Sequence, residues 1–332
     1  MEIIPSLPSD EDNLVAMFAE YGFALQKKSW WDWKYRNNPH GQAKSFKMMQ
    51  DGKMVGAVAV MPQLFTFEEK EVVGIQTVDG LMGREIRGKH LFNDVMAFLL
   101  ENRPDGIDGD SFYLSFPSLA SSVRAHENAG WVRLADGLVF KFPLKVESLE
   151  RSPRLYRFRK LLSPAFSLFR RLLVSQASSR FKIAEITCFE ASMIPDLKTN
   201  LVRGVRSPEM LNWRVFENCR DSMRAFTINE DEKVLGYFVC KQEKGNMEIV
   251  EARISNPSPK HLLAMLRYII QEDLASSVDL LMFGIQDNMA LLPRFGFLRL
   301  RFSGAVFVSD VRLASLPADP RKWEISYLDS DW

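Results

Sequence analysis

The chain has 332 residues with 43 basic and 42 acidic side chains, so it is long enough for two domains and lacks the net positive charge typical of nucleic-acid-binding proteins. Three cysteines and four histidines are scattered, without the spacing of a metal site or a disulfide framework. No apolar run approaches the roughly 18 residues that span a membrane, and the first residues form no signal peptide. We therefore expect a cytoplasmic protein without a metal.

The first half of the chain alternates between strand and helix patterns. Asp51-Gly52 lies between two alternating runs and is the strongest hairpin signal in the chain. Acidic residues at 10–12 suit the start of a helix. The predicted elements are a helix over 10–22, strands over 45–51, 53–66 and 70–82, a helix over 88–102, a strand over 112–116, a helix over 119–128, and strands over 131–135 and 138–143.

A basic segment follows, with apolar residues at helical spacing and no acidic residue between 151 and 171. Ser163-Pro164 is typical of an N-cap followed by proline at the first helical position, which predicts two short helices. Two interpretations remain open. Residues 151–173 contact an anionic membrane surface peripherally, or they pack their apolar stripe on the protein and leave their arginines in water.

The second half repeats the order of the first. Its predicted elements are strands near 223–229, 233–242 and 246–254, a helix over 259–273, a strand over 278–284, a helix over 287–294, and strands over 297–302 and 304–310. Together the two halves predict a mixed α/β fold, with a mainly antiparallel sheet flanked by helices in each half.

Two windows of the sequence support a duplication. Trp33 to Gly56 aligns without a gap to Trp213 to Gly236 at an offset of 180 residues. The identical pairs are Trp33/Trp213, Asn38/Asn218, Phe46/Phe226, Asp51/Asp231, Lys53/Lys233 and Gly56/Gly236. A period of this length indicates a duplicated domain and not a solenoid. We expect an N-terminal domain over 1–145, a connector over 146–190, a C-terminal domain over 191–315 and a tail over 316–332.

The two copies differ in the turn that precedes the long helix. The first copy has the basic turn Arg84-Glu-Ile-Arg-Gly-Lys-His-Leu91. Such a turn is suited to a pyrophosphate, because the first N–H groups of a helix lack partners and the helix dipole favours negative charge there. The second copy has Asn256-Pro-Ser-Pro-Lys260, in which two prolines remove N–H donors. We expect only the first copy to bind such a ligand.

The chain resembles the GNAT (Gcn5-related N-acetyltransferase) superfamily over most of its length, as two domains in tandem. The loop of that family has the form Gln/Arg-x-x-Gly-x-Gly/Ala, and Gly88 matches it while Glu85 and His90 depart from it. Further matching positions are Trp33-Lys34-Tyr35, Pro39, Gly56, Gln76, Asp79, Arg87-Gly88-Lys89, Phe116-Pro117, Gly130-Trp131 and the tail at Asp329-Ser330-Asp331. These are similar to GNAT domains of bacterial exopolysaccharide biosynthesis clusters.

The resemblance implies a cofactor and a set of site residues. The co-substrate is acetyl-CoA or another acyl-CoA. Its pyrophosphate would lie on the loop and its pantetheine arm near Ser118, which could alternatively cap the following helix. The implied cofactor-binding residues are Arg84, Arg87, Gly88, Lys89, His90, Leu91 and Ser118.

Two residues are candidates for proton transfer. Asp79, at the end of the third long strand, matches the position of a carboxylate base in many GNATs, although Asp79-Gly80 is also typical of a turn. Gln76 and Asp79 face opposite sides of a regular strand unless a bulge intervenes. His126, five residues before Trp131, matches the position of the general acid, although it could be a helix-surface histidine.

Two functions follow. The first is transfer of an acyl group to an amine or hydroxyl of a small-molecule or lipid-linked sugar or other envelope precursor. The second is a catalytically silent tandem GNAT that serves as a binding or scaffold component of polysaccharide biosynthesis, which Glu85 and His90 favour. Aminoacyl transfer of the Fem type is a third and weaker possibility, because it would require a more basic surface.

Overall fold

The architecture was examined in a computed structural model. It describes residues 1–22, 28–87, 91–102, 107, 111–145, 148, 157, 159–176, 180–197, 200–218, 221–243, 245–283, 297–300, 304–309, 316, 317 and 319–330. The predicted helix over 287–294 lies outside these residues.

The described residues contain seven α-helices and fifteen strands. The helices are α1 (Glu11–Glu20), α2 (Lys28–Trp31, continued by a π-helical turn over Asp32–Arg36), α3 (Phe92–Glu101), α4 (Ala120–Asn128), α5 (Arg159–Gln176), α6 (Pro208–Val215) and α7 (Pro259–Gln271). The strands of the first half are β1 (Glu2–Pro5), β2 (Lys44–Gln50), β3 (Lys53–Phe67), β4 (Lys70–Met82), β5 (Ser111–Ser115) and β6 (Val132–Pro143). Those of the second half are β7 (Phe181–Ile186), β8 (Val202–Gly204), β9 (Met223–Glu230), β10 (Lys233–Glu243), β11 (Asn246–Ile254), β12 (Ser277–Phe283), β13 (Leu298–Leu300), β14 (Ala305–Ser309) and β15 (Trp323–Glu324).

The hairpins form where the turn chemistry predicts them. Asp51 and Gly52 both have positive φ, at 51° and 74°, which is the backbone of the two-residue turn that matches strand twist. Asp231, which corresponds to Asp51 in the repeat, has φ of 54°. The strand order along the sheet is β1-β2-β3-β4-β5-β14-β6-β12-β11-β10-β9-β7. The mixed α/β fold with a mainly antiparallel sheet is therefore confirmed.

The last strand of each copy is exchanged with the other copy. β14, from the second half, pairs with β5 on one side and with residues 132–136 of β6 on the other. Residues 137–143 of β6, from the first half, pair with β12 and β13 of the second. The prediction of two strands, over 131–135 and 138–143, is therefore wrong. They form one continuous strand, because its first part lies in one sheet and its second part in the other.

The two copies meet at the paired tryptophans that the repeat singled out. The rings of Trp33 and Trp213 stack with centroids 4.8 Å apart. Each indole Nε1–H donates to the backbone carbonyl of the other residue, at 2.9 Å in both directions. Both side chains are buried. This reciprocal contact marks a local two-fold relation between the copies.

In the described part of the connector, one helix spans the point at which a break between two helices was predicted. α5 runs through Ser163 and Pro164, so the predicted break and N-cap there are wrong. A proline inside a helix removes one backbone hydrogen bond, and packing outweighs that loss here. The Phe169 ring lies 5.6 Å from that of Phe142, and Arg170 donates to the Ile270 carbonyl at the end of α7. Leu168 and Leu172 remain exposed. In the described part of the chain, no helix is long and apolar enough to cross a membrane.

The strand exchange predicts that the N-terminal half does not fold alone. A fragment of residues 1–145 retains β5 and β6 but lacks β14, which lies between them and contributes the fully buried Phe307. We expect no cooperative unfolding transition for this fragment by circular dichroism. Co-expression with residues 146–332 should restore the transition, and a sharp transition of the isolated fragment would contradict the expectation.

Candidate active site

The parallel strands β4 and β5 of the N-terminal sheet stop pairing before β4 ends, and the region beyond their last pair is called the cleft below. β4 and β5 are paired from Val73 with Ser111 to Thr77 with Ser115. Beyond this point β4 continues to Met82, whereas β5 ends. A gap between the ends of neighbouring parallel strands is a common place for a ligand in α/β sheets.

A β-bulge shapes one wall of this cleft. The register of β3 against β4 shifts between Ala57 and Ala59, so that Asp79 and Gly80 together face one residue of β3. Asp79 has φ of 51°, in the left-handed region. The bulge turns Asp79 toward the side of the sheet that α2 and its π-helical turn cover, the side on which Gln76 also lies. The intervening bulge that the sequence analysis required for this arrangement is therefore present.

Two side chains from the π-helical turn fix the Asp79 carboxylate. Lys34 Nζ and the Tyr35 hydroxyl both donate to Asp79 Oδ2, each at 2.6 Å. The Lys34 side chain is fully buried, and its ammonium lies 4.7 Å from the centroid of the Trp30 ring. A buried ammonium requires such compensation, because removing it from water is costly. The arrangement gives Asp79 one fixed orientation at the edge of the cleft.

The basic turn begins directly after β4. Gly83 donates its N–H to the Val55 carbonyl at 2.7 Å, and a Cβ at this position would lie only 2.5 Å from that oxygen. The Arg84 N–H donates to the Tyr21 hydroxyl, and Arg87 Nε–H donates to the Met82 carbonyl. Both arginine side chains are exposed. They therefore place positive charge in solvent beside the cleft.

The basic turn leads into α3, whose N-cap is Leu91. Gly88, Lys89 and His90, which the sequence analysis assigned to cofactor binding, lie outside the described residues. Ser118 lies in the segment after β5, next to Leu119, the N-cap of α4. α4 therefore begins one residue later than predicted, and its N-cap position is held by Leu119 and not by Ser118.

His126 lies on the opposite side of the sheet from Asp79. It is buried in α4, with its ring 4.8 Å from Phe92, 5.3 Å from Trp131 and 5.2 Å from Phe307. Nδ1 lies 2.8 Å from the Ser122 carbonyl, so Nδ1 carries the proton. Burial lowers the pKa of His126, which keeps the ring neutral. The structure therefore does not bring His126 and Asp79 together.

The corresponding cleft of the C-terminal copy is occupied by the tail. β11 and β12 are paired through Ile249 with Leu280, and β11 then continues to Ile254. A turn over Tyr327–Asp329 contacts both strands, and Leu328 packs in one core cluster with Val250 and Leu281. At the start of α7, the Ser258 N–H donates to His261 Nδ1.

A buried ionic network holds the tail in place. Arg206 donates to Glu251 at 2.6 Å and to Asp329 at 2.7 Å. Glu251 also accepts hydrogen bonds from the hydroxyls of Tyr237 and Ser326. Burial alone would raise the pKa of Glu251, but the guanidinium groups of Arg206 and Arg253 hold it at about 2.

A small cavity lies between the two copies. It is lined by Asn38, His40, Met61, Pro62, Gln63, Gln76, Met210, Trp213, Arg214, Leu328 and Asp329, and the cavity with its mouth contains about 240 Å³. Sequence analysis did not assign His40, Gln63 or Arg214 to any site. No local pattern connects them, since they come from three different parts of the chain.

His40 is neutral within this cavity. Its Nδ1 accepts a hydrogen bond from the Leu64 N–H at 3.1 Å. Burial and the nearby Arg206 guanidinium lower the pKa of His40 to about 4, and Asp329 only partly offsets them.

The pKa of His40 predicts a loss of stability at low pH. Between its unfolded pKa of about 6.5 and the folded value of about 4, the unfolded chain binds a proton that the folded chain does not. Stability therefore falls as the pH decreases through this window, by up to about 1.4 kcal/mol per pH unit from this group. In urea unfolding at several pH values, His40→Gln should have a shallower pH dependence than the parent. Equal slopes would show that His40 does not titrate in this way.

The Lys34–Asp79 pair predicts a stability defect. Asp79→Asn keeps the size and tolerates positive φ, but it leaves the buried ammonium without a carboxylate. We expect a loss of about 3–5 kcal/mol in the free energy of unfolding. Asp231→Asn, at an exposed turn residue with φ of 54°, is the matched control and should change little. A neutral effect of Asp79→Asn would argue against a buried charge pair.

The fold is similar to that of solved acyltransferases, whereas no protein-family model and no curated protein matches the sequence. A conserved protein of Enterococcus faecalis described as a probable N-acyltransferase has 10% identity and a TM-score of 0.62, over 92% of this chain and 71% of its own. N-myristoyltransferase of Saccharomyces cerevisiae with bound myristoyl-CoA has 9% identity and a TM-score of 0.60, over 100% and 85%. A tandem GNAT protein from the clavulanic acid biosynthesis pathway has 13% identity and a TM-score of 0.51, over 93% and 98%. The chain therefore has the mixed α/β fold of GNAT acyltransferases, in a tandem arrangement.

Proposed function

We propose that the chain transfers an acyl group from acyl-CoA to an amine or hydroxyl of a sugar or other envelope precursor, at a site in the N-terminal copy. The observation that carries this proposal is that β5 stops pairing with β4 before β4 ends, and that the turn directly after β4 carries the exposed Arg84 and Arg87. The equivalent cleft of the C-terminal copy contains the tail and lacks the basic turn. The fold neighbours include an acyltransferase solved with myristoyl-CoA.

In this proposal the donor is held by its phosphates and its thioester lies near the bulge. The arginines of the basic turn and the N-terminus of α3 bind the pyrophosphate, together with Gly88, Lys89, His90 and Leu91. The pantetheine arm passes Ser118 and enters the cleft. The bulge interrupts the pairing of β3 with β4, and in this proposal the thioester carbonyl approaches the β4 backbone at that point.

Asp79 handles the proton of the acceptor. The amine or hydroxyl attacks the thioester carbonyl, the carbon–sulfur bond breaks, and the acceptor's proton passes to Asp79 directly or through water. The thiolate of CoA leaves and takes a proton. Lys34 and Tyr35 keep the carboxylate in position for this step. We assign His126 a packing role, because three aromatic rings surround it on the other side of the sheet.

The choice of a sugar acceptor rests on the resemblance to GNAT domains of exopolysaccharide clusters. That resemblance includes Lys34, Tyr35 and Asp79, and the structure joins these three residues in one hydrogen-bonded group.

A silent scaffold is the second candidate, and one observation favours it. Asp79 is held in a buried ion pair, as Glu251 is in the C-terminal copy, whose cleft the tail fills. A carboxylate fixed in this way can serve packing alone. Under this alternative the cleft binds no acyl-CoA.

Calorimetric titration of acetyl-CoA into the purified protein separates the two candidates. We expect micromolar binding that Arg87→Glu reduces at least tenfold, since the change replaces a charge that attracts the pyrophosphate with one that repels it. Acetyl transfer to amino-sugar acceptors is measured by the release of free CoA thiol. We expect this activity to be lost in Arg87→Glu.

Lys260→Glu is the matched control, because Lys260 opens the equivalent helix of the C-terminal copy. It should leave acetyl-CoA binding unchanged. If acetyl-CoA, longer acyl-CoAs and free CoA all fail to bind, the acyltransferase proposal is wrong and the scaffold becomes the better account. An equal loss in both variants would place the donor outside the N-terminal cleft.

A further inference from the structure

The cavity between the two copies contains buried polar atoms without hydrogen-bond partners among the described residues. These atoms are His40 Nε2, Gln63 Oε1 and Gln76 Oε1. The Gln63 and Gln76 side chains line the cavity and are only 3% and 1% exposed. A buried polar atom without a partner is costly, and here three such atoms line one cavity. A group that enters the cavity can supply the missing hydrogen bonds.

The hydrogen-bonding character of the cavity follows from the contacts around it. His40 Nδ1 accepts from the Leu64 N–H, so the ring proton is on Nε2, which is a donor. Gln63 Nε2 donates to Asp329 Oδ1 at 2.8 Å, and this contact orients its Oε1 as an acceptor. Gln76 Oε1 adds a second acceptor. These three side chains therefore offer one donor and two acceptors, and each of them is neutral.

The charges around the cavity disfavour an ionic ligand. Asp329 is already paired with Arg206, and its carboxylate together with the two amide oxygens would repel an anion. The Arg214 guanidinium lines the cavity and the His40 Nε2–H points a proton at it, so a cation is also disfavoured. A hydroxyl group both donates and accepts. It can accept from His40 and donate to one glutamine oxygen, while a neighbouring hydroxyl donates to the other.

We propose that this cavity binds the neutral hydroxyl-bearing end of a polyol, such as adjacent hydroxyls of a sugar ring. The enclosed part has room for a water-sized group, so one hydroxyl enters it and the rest of the ligand lies at the mouth. Gln76 precedes Asp79 by three residues on β4, or about 10 Å of strand. If the proposed function holds, a sugar anchored at Gln76 would direct another of its groups toward the bulge. The site requires both copies, because β3, β4, α6 and the tail all line it.

Saturation-transfer NMR on the full chain tests this inference. D-glucose represents a neutral polyol, methylammonium a cation and inorganic phosphate an anion. We expect a signal from D-glucose that neither ion displaces. Gln76→Leu removes one acceptor at nearly constant volume and should weaken D-glucose binding about tenfold, the effect of losing one buried hydrogen bond. Gln271→Leu, at an exposed position at the end of α7, is the matched control and should bind as the parent does.

The thermal unfolding transition of each variant shows whether it folds. If Gln76→Leu does not fold, the binding measurement is made with Gln76→Met instead. The inference is overturned if D-glucose does not bind, if Gln76→Leu and Gln76→Met bind it as the parent does, or if an ion displaces it. Acetyl-CoA is titrated separately. If acetyl-CoA binds and D-glucose does not, the cavity proposal is wrong and the proposed acyl transfer is unaffected. D-glucose binding that Gln76→Leu weakens, without acetyl-CoA binding, would support the cavity and remove the acyl transfer.

Discussion

Each half of this protein completes the sheet of the other, and the rest of the architecture depends on that exchange. β14 lies between β5 and the first part of β6, and the second part of β6 lies between β12 and β13. Because a strand in the middle of a sheet makes hydrogen bonds on both sides, neither sheet is continuous without its partner. The Trp33–Trp213 pair reinforces the same relation at the centre, where each indole donates to the other residue's backbone.

Two copies with one fold have diverged at the positions that matter for chemistry. In both, the third long strand carries a carboxylate in a buried ion pair, Asp79 with Lys34 and Glu251 with Arg206. In the C-terminal copy the carboxylate binds the tail through Arg206 and Ser326. In the N-terminal copy the carboxylate lies on a bulge at the edge of a cleft. The two copies therefore use the same kind of buried ion pair in different surroundings, one beneath the tail and one at a bulge.

The sequence predicted most elements because their signals are local. Alternation and the Asp51-Gly52 turn place the first hairpin, and the tryptophans of the repeat identify the pair that meets between the copies. The strand exchange could not be predicted, since β14 satisfies the same alternation whichever copy it joins. The helix boundary predicted at Ser163-Pro164 was wrong, because the tertiary contacts of α5 outweigh the local preference of proline for the start of a helix.

The candidate site was only partly accessible to sequence reasoning. The basic turn was identified from its local pattern at the start of a predicted helix, whereas Asp79 was assigned through the family resemblance and its place at the end of the third long strand. His126 was expected at a surface or in the site, but its position in the core depends on Phe307 from the other copy. The central cavity combines His40, Gln63 and Asp329, which are distant in the chain and carry no shared motif. Only the folded arrangement brings them together.

The strand exchange also governs the order in which the molecule can form during its synthesis. The N-terminal sheet lacks its internal strand until residues 305–309 have been translated, about 160 residues after β6. At typical elongation rates this interval is roughly 10–30 s, during which the facing edges of β5 and β6 have no partner. Most multidomain chains fold one domain at a time from the N-terminus, whereas here the N-terminal sheet must wait for β14. The nascent chain therefore carries these unpaired strand edges for about half of its translation, so its exposure to aggregation follows from its topology.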